Sequence, residues 1–229
     1  TVGGNLYLDS NRLVSLPENF GNLTVGGNLY LNDNRLTSLP DSFCSLKVGG
    51  NLDLGDNRLT LPDSFGSLEV GGNLSLYSNE LTSLPDNFGE LKVGKGLYLD
   101  NNQLASLPKS FGKLKLGGDL SLNRNLLTSL PESFGNLTVG RDLDLSENNL
   151  KSLPKSFGSL SVGGSLNLSN NFLSSLPESF GNLTLGGELY TENNNWSIYE
   201  IRRYSDKWTG ISFNTDEWSI YESEDDDDY

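Results

Sequence analysis

Histidine and methionine are absent from this chain, and it has one cysteine, Cys44, and one alanine, Ala105. Without histidine, Ser-His-Asp and Cys-His nucleophile arrangements, imidazole acid–base chemistry and histidine metal ligands are excluded. A single cysteine excludes an intrachain disulfide and a thiolate zinc cluster. So little alanine, the best helix former, argues against a helical protein. No apolar run approaches membrane-spanning length, and no charged segment followed by an apolar one opens the chain. Membrane insertion is therefore not expected, and neither is a cofactor or metal. With no methionine, the 229 residues are expected to continue upstream of Thr1. Cations are scarce as well. Lys and Arg number 16 against 30 Asp and Glu, a net charge of −14, which argues against nucleic acid or an anionic membrane as partner.

Leucine is what the chain has in abundance, with 44 residues. It is ordered by a repeat. Aligned on Val-Gly-Gly, eight units begin at Thr1, Thr24, Lys47, Glu69, Lys92, Lys115, Thr138 and Ser161. Seven have 23 residues; the third has 22, having lost one between Leu59 and Leu61. All eight prolines share one column, from Pro17 to Pro177, and eight of the ten Phe share another, from Phe20 to Phe180.

Each unit reads as one coil. Leu29-Tyr30-Leu31 alternates as a short half-buried strand does. Gly26-Gly27 before it reads as a tight bend. Leu39-Pro40 after it is expected to stop any ladder on the return side, because proline has no N–H. Phe43 and Leu46 then turn inward. One coil cannot bury its own apolar side, so coils must stack. Asn11, Asn34, Asn57, Asn79, Asn102, Asn125, Asn148 and Asn171 follow the strands. As a stacked ladder they would satisfy the backbone at the bend, a structural role. Cys44 stands where other units have Gly after Phe and reads as a tolerated variant.

The pattern Leu-x-Leu-x-x-Asn-x-Leu-x-x-Leu-Pro-x-x-Phe-Gly-x-Leu resembles the leucine-rich repeat family, over about four fifths of the chain. It departs from the usual pattern where Gly replaces a Leu before the strand and Val sits one residue earlier. The resemblance implies an α/β-type leucine-rich repeat solenoid, mostly strand and turn with little helix. It would be a curved right-handed coil with a parallel concave sheet of about ten strands. Protein recognition on that sheet is what the family implies.

Three segments are expected: eight repeats over 1–183, degenerate repeats forming a C-terminal cap over 184–221, and an acidic disordered tail over 222–229. Trp-Ser-Ile-Tyr-Glu recurs at 196–200 and 218–222. Helical spacing between the two copies predicts a helix over 197–208. The N-terminal coil carries no polar cap, so self-association through it is the rival expectation to a longer chain. This chain has neither Cys-rich caps nor a signal peptide, which leans toward an intracellular protein.

Strand alternation assigns residues 28, 30 and 32, and their equivalents, to the outward face. Thirty such positions hold eight carboxylates and no Lys or Arg. The functional reading is a surface for a basic or hydrogen-bonding protein partner, using Tyr7, Tyr30, Asp53, Tyr77, Tyr98, Asp100, Asp142, Asp144 and Tyr190. The plain reading is a solvated sheet face. A second stripe, Arg12, Arg35 and Arg58, is expected beside Asp9, Asp33 and Asp56. It would form either an intercoil ion-pair ladder or a site for carboxylate or phosphate. The function expected is a non-catalytic binding or scaffold module; the alternative is a structural component packed through solenoid ends or edges. Paired Asp142 and Asp144 on an open face do not make a glycosidase.

Overall fold

The computed structural model describes residues 1–197 and 200. Each coil contributes a two-residue strand to one nine-stranded parallel sheet, from Leu6–Tyr7 and Leu29–Tyr30 to Leu189–Tyr190. The order follows the sequence and the register is one unit per strand, so Leu6 lies beside Leu29 and Leu29 beside Leu52. Parallel pairing follows because every coil brings the chain back to the same side before the next strand starts. The tenth strand expected around Ile211–Phe213 and the acidic tail lie outside the described residues. Of the helix predicted over 197–208, only Ser197 and Glu200 are described. Ser197 Oγ accepts the Glu200 N–H at 3.2 Å.

The leucine columns are the core. Leu29, Leu31, Leu36, Leu52 and Leu54 are fully buried, and the same columns stay buried through the eighth coil, while Leu6, Leu8 and Leu13 of the first coil are partly exposed. Between them runs the Asn ladder. Asn57 donates its Nδ2 hydrogens to the carbonyls of Leu31, Leu54 and Gly55 at 3.0, 3.2 and 3.1 Å. Its Oδ1 accepts the Leu36 N–H at 2.9 Å. One side chain thus closes the bend of its own coil and ties it to the coil before. The residue ahead of each ladder Asn is left-handed, with φ between 50° and 54° from Ser10 to Asn193, and none of the nine is glycine. Ser, Asp and Asn dominate these positions because short polar side chains tolerate that conformation.

The return side corrects two expectations. Proline does not end the pairing there. Pro17 O accepts the Phe20 N–H at 2.9 Å, so proline opens a tight 3-10 turn that carries Phe inward. A further parallel ladder then forms at the Val column. Strands Thr24–Val25, Lys47–Val48, Glu69–Val70 and Lys92–Val93 make one short sheet. Lys115–Leu116, Thr138–Val139, Ser161–Val162 and Thr184–Leu185 make another. β-Branched Val suits such a strand. The Gly-Gly pair is not there for its backbone freedom either, since no glycine among the described residues has positive φ. A β-carbon at Gly49 would lie 2.4 Å from the Gly26 carbonyl oxygen, so glycine lets successive coils approach.

Phe rings stack through the core at 5.8–6.1 Å between centroids from Phe65 to Phe180, and Phe20 stacks on Phe43. No stacked pair joins Phe43 to Phe65. That junction is where Cys44 replaces the Gly of the other units. At Gly21, for comparison, a β-carbon would meet the Ser42 carbonyl at 1.6 Å. Cys44 adds a β-carbon at this crowded position, and Ser64 Oγ donates to its Sγ at 3.2 Å.

Candidate functional site

The outward face of the nine-stranded sheet has three columns, and the structure separates their roles. The inner column is a second backbone ladder. Asn5, Asn28, Asn51 and Asn73 each offer Oδ1 to the N–H of the equivalent residue one coil on, at 2.8–2.9 Å. Asp142 does the same for Ser165 at 2.7 Å. Asp142, expected to contact a partner, therefore has a structural duty. Sequence reasoning missed this ladder; four Asn in one column was its signal.

The inner column also positions the aromatic one. Asn5 and Asn28 donate Nδ2 hydrogens to the phenol oxygens of Tyr7 and Tyr30 at 2.7 and 2.8 Å. The two rings lie parallel, 5.1 Å apart. Tyr77 crosses sideways over Gly55, where a β-carbon would come within 2.3 Å of its ring. Tyr98 lies toward Gly96 and donates its hydroxyl to Asp119 Oδ2 at 3.1 Å. The glycines at these two outward positions are thus the places where tyrosines lie down.

Among these rings sit carboxylates that are half-buried. Asp53 is raised above the ordinary carboxylate value, first by burial, with Asp56 and Asp9 adding to it and a hydrogen bond from the Gly55 N–H opposing it. Asp100 is raised chiefly by burial too. Tyr77 is pushed up to about 12, by burial first and then by the neighbouring Asp53. Tyr98 rises through burial and its bond to Asp119. Desolvated carboxylate without a paired cation is costly, and an incoming cation would relieve that cost.

The expected set is only partly brought together. Tyr7, Tyr30, Asp53, Tyr77, Tyr98 and Asp100 line consecutive coils. Asp144 lies further along, with Oδ1 accepting the Ser146 N–H at 2.9 Å. Tyr190 is four coils beyond Tyr98, about 19 Å at ~4.8 Å per coil, and bonds to Glu188 at 2.5 Å. The face is also not free of cations at its margins. Arg141 approaches Asp119 at 3.5 Å, and Arg124 pairs with Glu147 at 3.0 Å. The uncompensated acid is accordingly that of the first four coils, since Asp100 in the fifth lies in the field of Arg124.

Arg12, Arg35 and Arg58 are exposed and stacked by coil, but none forms an ion pair among the described residues. The expected ladder with Asp9, Asp33 and Asp56 is absent. Fixing a long exposed side chain on a solvated carboxylate costs as much entropy as it gains in attraction. Further along the same column the charge gives way to exposed Leu126 and Phe172, each 49 % accessible. Among the described residues no helix is long and apolar enough to cross a membrane.

The family model for leucine rich repeats matches residues 28–46, 141–160 and 165–183. The coils are leucine-rich repeats. Repeats of this family generally serve as protein-binding scaffolds, and they are typically non-catalytic. Among solved structures, this leucine-rich repeat chain is similar to a Leptospira interrogans LRR protein. The two share 25% identity over 89% of this chain and 76% of that one, with a TM-score of 0.35. No curated protein matches the chain.

Proposed function

We propose that the nine-stranded sheet is the concave recognition surface of a non-catalytic binding module, and that it takes a protein partner through basic side chains. The observation that carries this is Asp53. It is half-buried between coils, held by a backbone N–H and without a cation, beside the Tyr77 ring. Asp100, two coils on beside Tyr98, is also half-buried, but Ser121 hydrogen-bonds it and the Arg124 charge partly offsets its own. A partner's Lys or Arg would find carboxylate, aromatic face and apolar edge together, the combination that makes strong contacts at interfaces. The exposed row Arg12, Arg35 and Arg58 offers the opposite charge on the adjoining flank, for carboxylate or phosphate groups.

The test is charge reversal at carboxylates that hold no backbone N–H of the next coil. Asp53→Lys and Asp100→Lys, combined with Asp144→Lys, should abolish the amide NMR shifts that Arg/Lys-containing peptides cause at Tyr30, Tyr77 and Tyr98. Circular dichroism should stay unchanged. Asp142 is excluded because its carboxylate ties the Ser165 N–H of the next coil, whereas Asp53 and Asp144 accept N–H groups within their own coils. Shifts at these sheet positions that survive reversal in a folded protein would refute the reading.

A further inference from the structure

The one short unit leaves a mark on the flank that follows the Asn ladder. There, each coil donates one backbone N–H to the previous coil, as Arg35 to Leu13 O, Arg58 to Leu36 O and Gln103 to Leu81 O, at 2.8–2.9 Å. The same bond recurs at the four later junctions, ending with Asn195 to Leu173 O at 2.8 Å. It is missing between the third and fourth coils. The Glu80 N–H and the Leu59 carbonyl have no partner among the described residues. Glu80 is left-handed, with φ of 60°, which makes its coil unlike the rest in having two such residues. Leu61 is half-exposed, whereas its equivalents Leu39, Leu84 and Leu107 are buried.

The gap is a cleft of about 570 Å³. Leucines 59, 61 and 84 form its apolar floor, and Asp63, Glu80 and Asp86 stand at its rim. No Lys or Arg lines it. A neighbouring hollow shares Leu61 and Asp63 and adds Asp41. The size is that of a small-ligand site. An apolar floor with an all-carboxylate rim fits an aliphatic chain that ends in a cation. The orphaned N–H and carbonyl, one on each wall, are a donor and an acceptor for an extended peptide backbone.

We propose that this cleft is a second binding site, distinct from the sheet, that seats a lysine side chain of an extended basic peptide. The lysine stem lies on Leu61 and Leu84, its ammonium meets the Asp63 and Asp86 carboxylates, and the peptide backbone pairs with Glu80 N–H and Leu59 C=O.

The experiment is an amide NMR titration of the whole chain with acetyl-Gly-Lys-Gly-amide. The norleucine analogue serves as the uncharged control. The lysine peptide should shift the amides of Leu59, Leu61, Glu80 and Ser83 saturably, at least tenfold more tightly than the norleucine peptide. Asp63→Asn with Asp86→Asn should weaken it at least fivefold. Inserting Ser between Thr60 and Leu61, which restores the Thr-Ser-Leu-Pro of other units, should abolish it and protect the Glu80 amide from exchange. No saturable shift, equal response to norleucine, or binding that persists in either variant would overturn the proposal. The carboxylate pair keeps the test decisive if the insertion does not fold.

Discussion

Asn102→Ala probes the ladder that holds the coils together. Asn102 is 7% exposed and makes five hydrogen bonds. The carbonyls it serves have other donors. Leu76 O keeps Asn79 Nδ2, Leu99 O keeps Asn125 Nδ2, and Asp100 O keeps the Ser78 N–H. The two N–H groups it accepts from, Leu81 at 2.9 Å and Asn79 at 3.1 Å, keep nothing. A buried donor left unsatisfied costs about 1–3 kcal/mol, so the pair costs about 2–6 kcal/mol. In a chain of this length that lowers the melting temperature by roughly 2–4 °C for each kcal/mol. Urea unfolding followed by far-ultraviolet circular dichroism gives the energy. Hydrogen exchange at the Leu81 and Asn79 amides locates it, since both should lose protection while the amide of Leu150, three rungs away in the order Asn102, Asn125, Asn148, Asn171, stays protected. Asn34→Ala, at a half-buried position near the end, should cost less. A loss under about 0.5 kcal/mol at Asn102, with the Leu81 amide still protected, would refute the claim that the ladder is structural.

Phe111→Ala removes a fully buried ring stacked on both sides at 6.0 and 6.1 Å; calorimetry should register a loss of about 3–5 kcal/mol. Burial pushes the Cys44 thiol above its ordinary value. It should therefore resist iodoacetamide at neutral pH in the folded chain and react on unfolding, as mass spectrometry would detect. Because folding raises the Asp53 pKa, the folded state holds its proton more tightly than the unfolded one. The charge therefore weakens the fold at neutral pH, and the penalty fades as pH falls through the raised value. Asp53→Asn, whose Oδ1 still accepts the Gly55 N–H, should raise the melting temperature slightly at pH 7 and make no difference at pH 3. A lowered melting temperature at pH 7 would contradict this.

What was legible in the sequence was whatever repeats. Columns of Leu, Asn and Phe dictate stacking, because only identical coils in register bury them together. The strand register and the Asn role followed from that alone. Contacts between neighbouring coils were not legible, because they depend on spacing and not on pattern. The Val ladder on the return side was hidden by treating proline as a stop. The Gly-Gly pair reads the same from sequence whether it serves a bend or a close approach. Similarly, alternation places Asp142 and Asp144 on one face, yet only the folded geometry shows that Asp142 holds an N–H of the next coil and Asp144 one of its own. Arg12, Arg35 and Arg58 failed as ion pairs for the converse reason: neighbouring columns do not oblige exposed side chains to meet. The short third unit was visible as a missing residue, but its consequence at Glu80 and Leu59 was not.

The account rests most heavily on the claim that the nine-stranded sheet is the recognition surface. The direct measurement is an amide NMR map of the labelled chain with a bound Arg/Lys-containing peptide. The account predicts that the perturbed amides are those around Tyr30, Asp53, Tyr77, Tyr98 and Asp100. Perturbation confined to the Arg12–Arg58 flank or to the short Val-column sheets, with the five sheet positions unmoved, would contradict it.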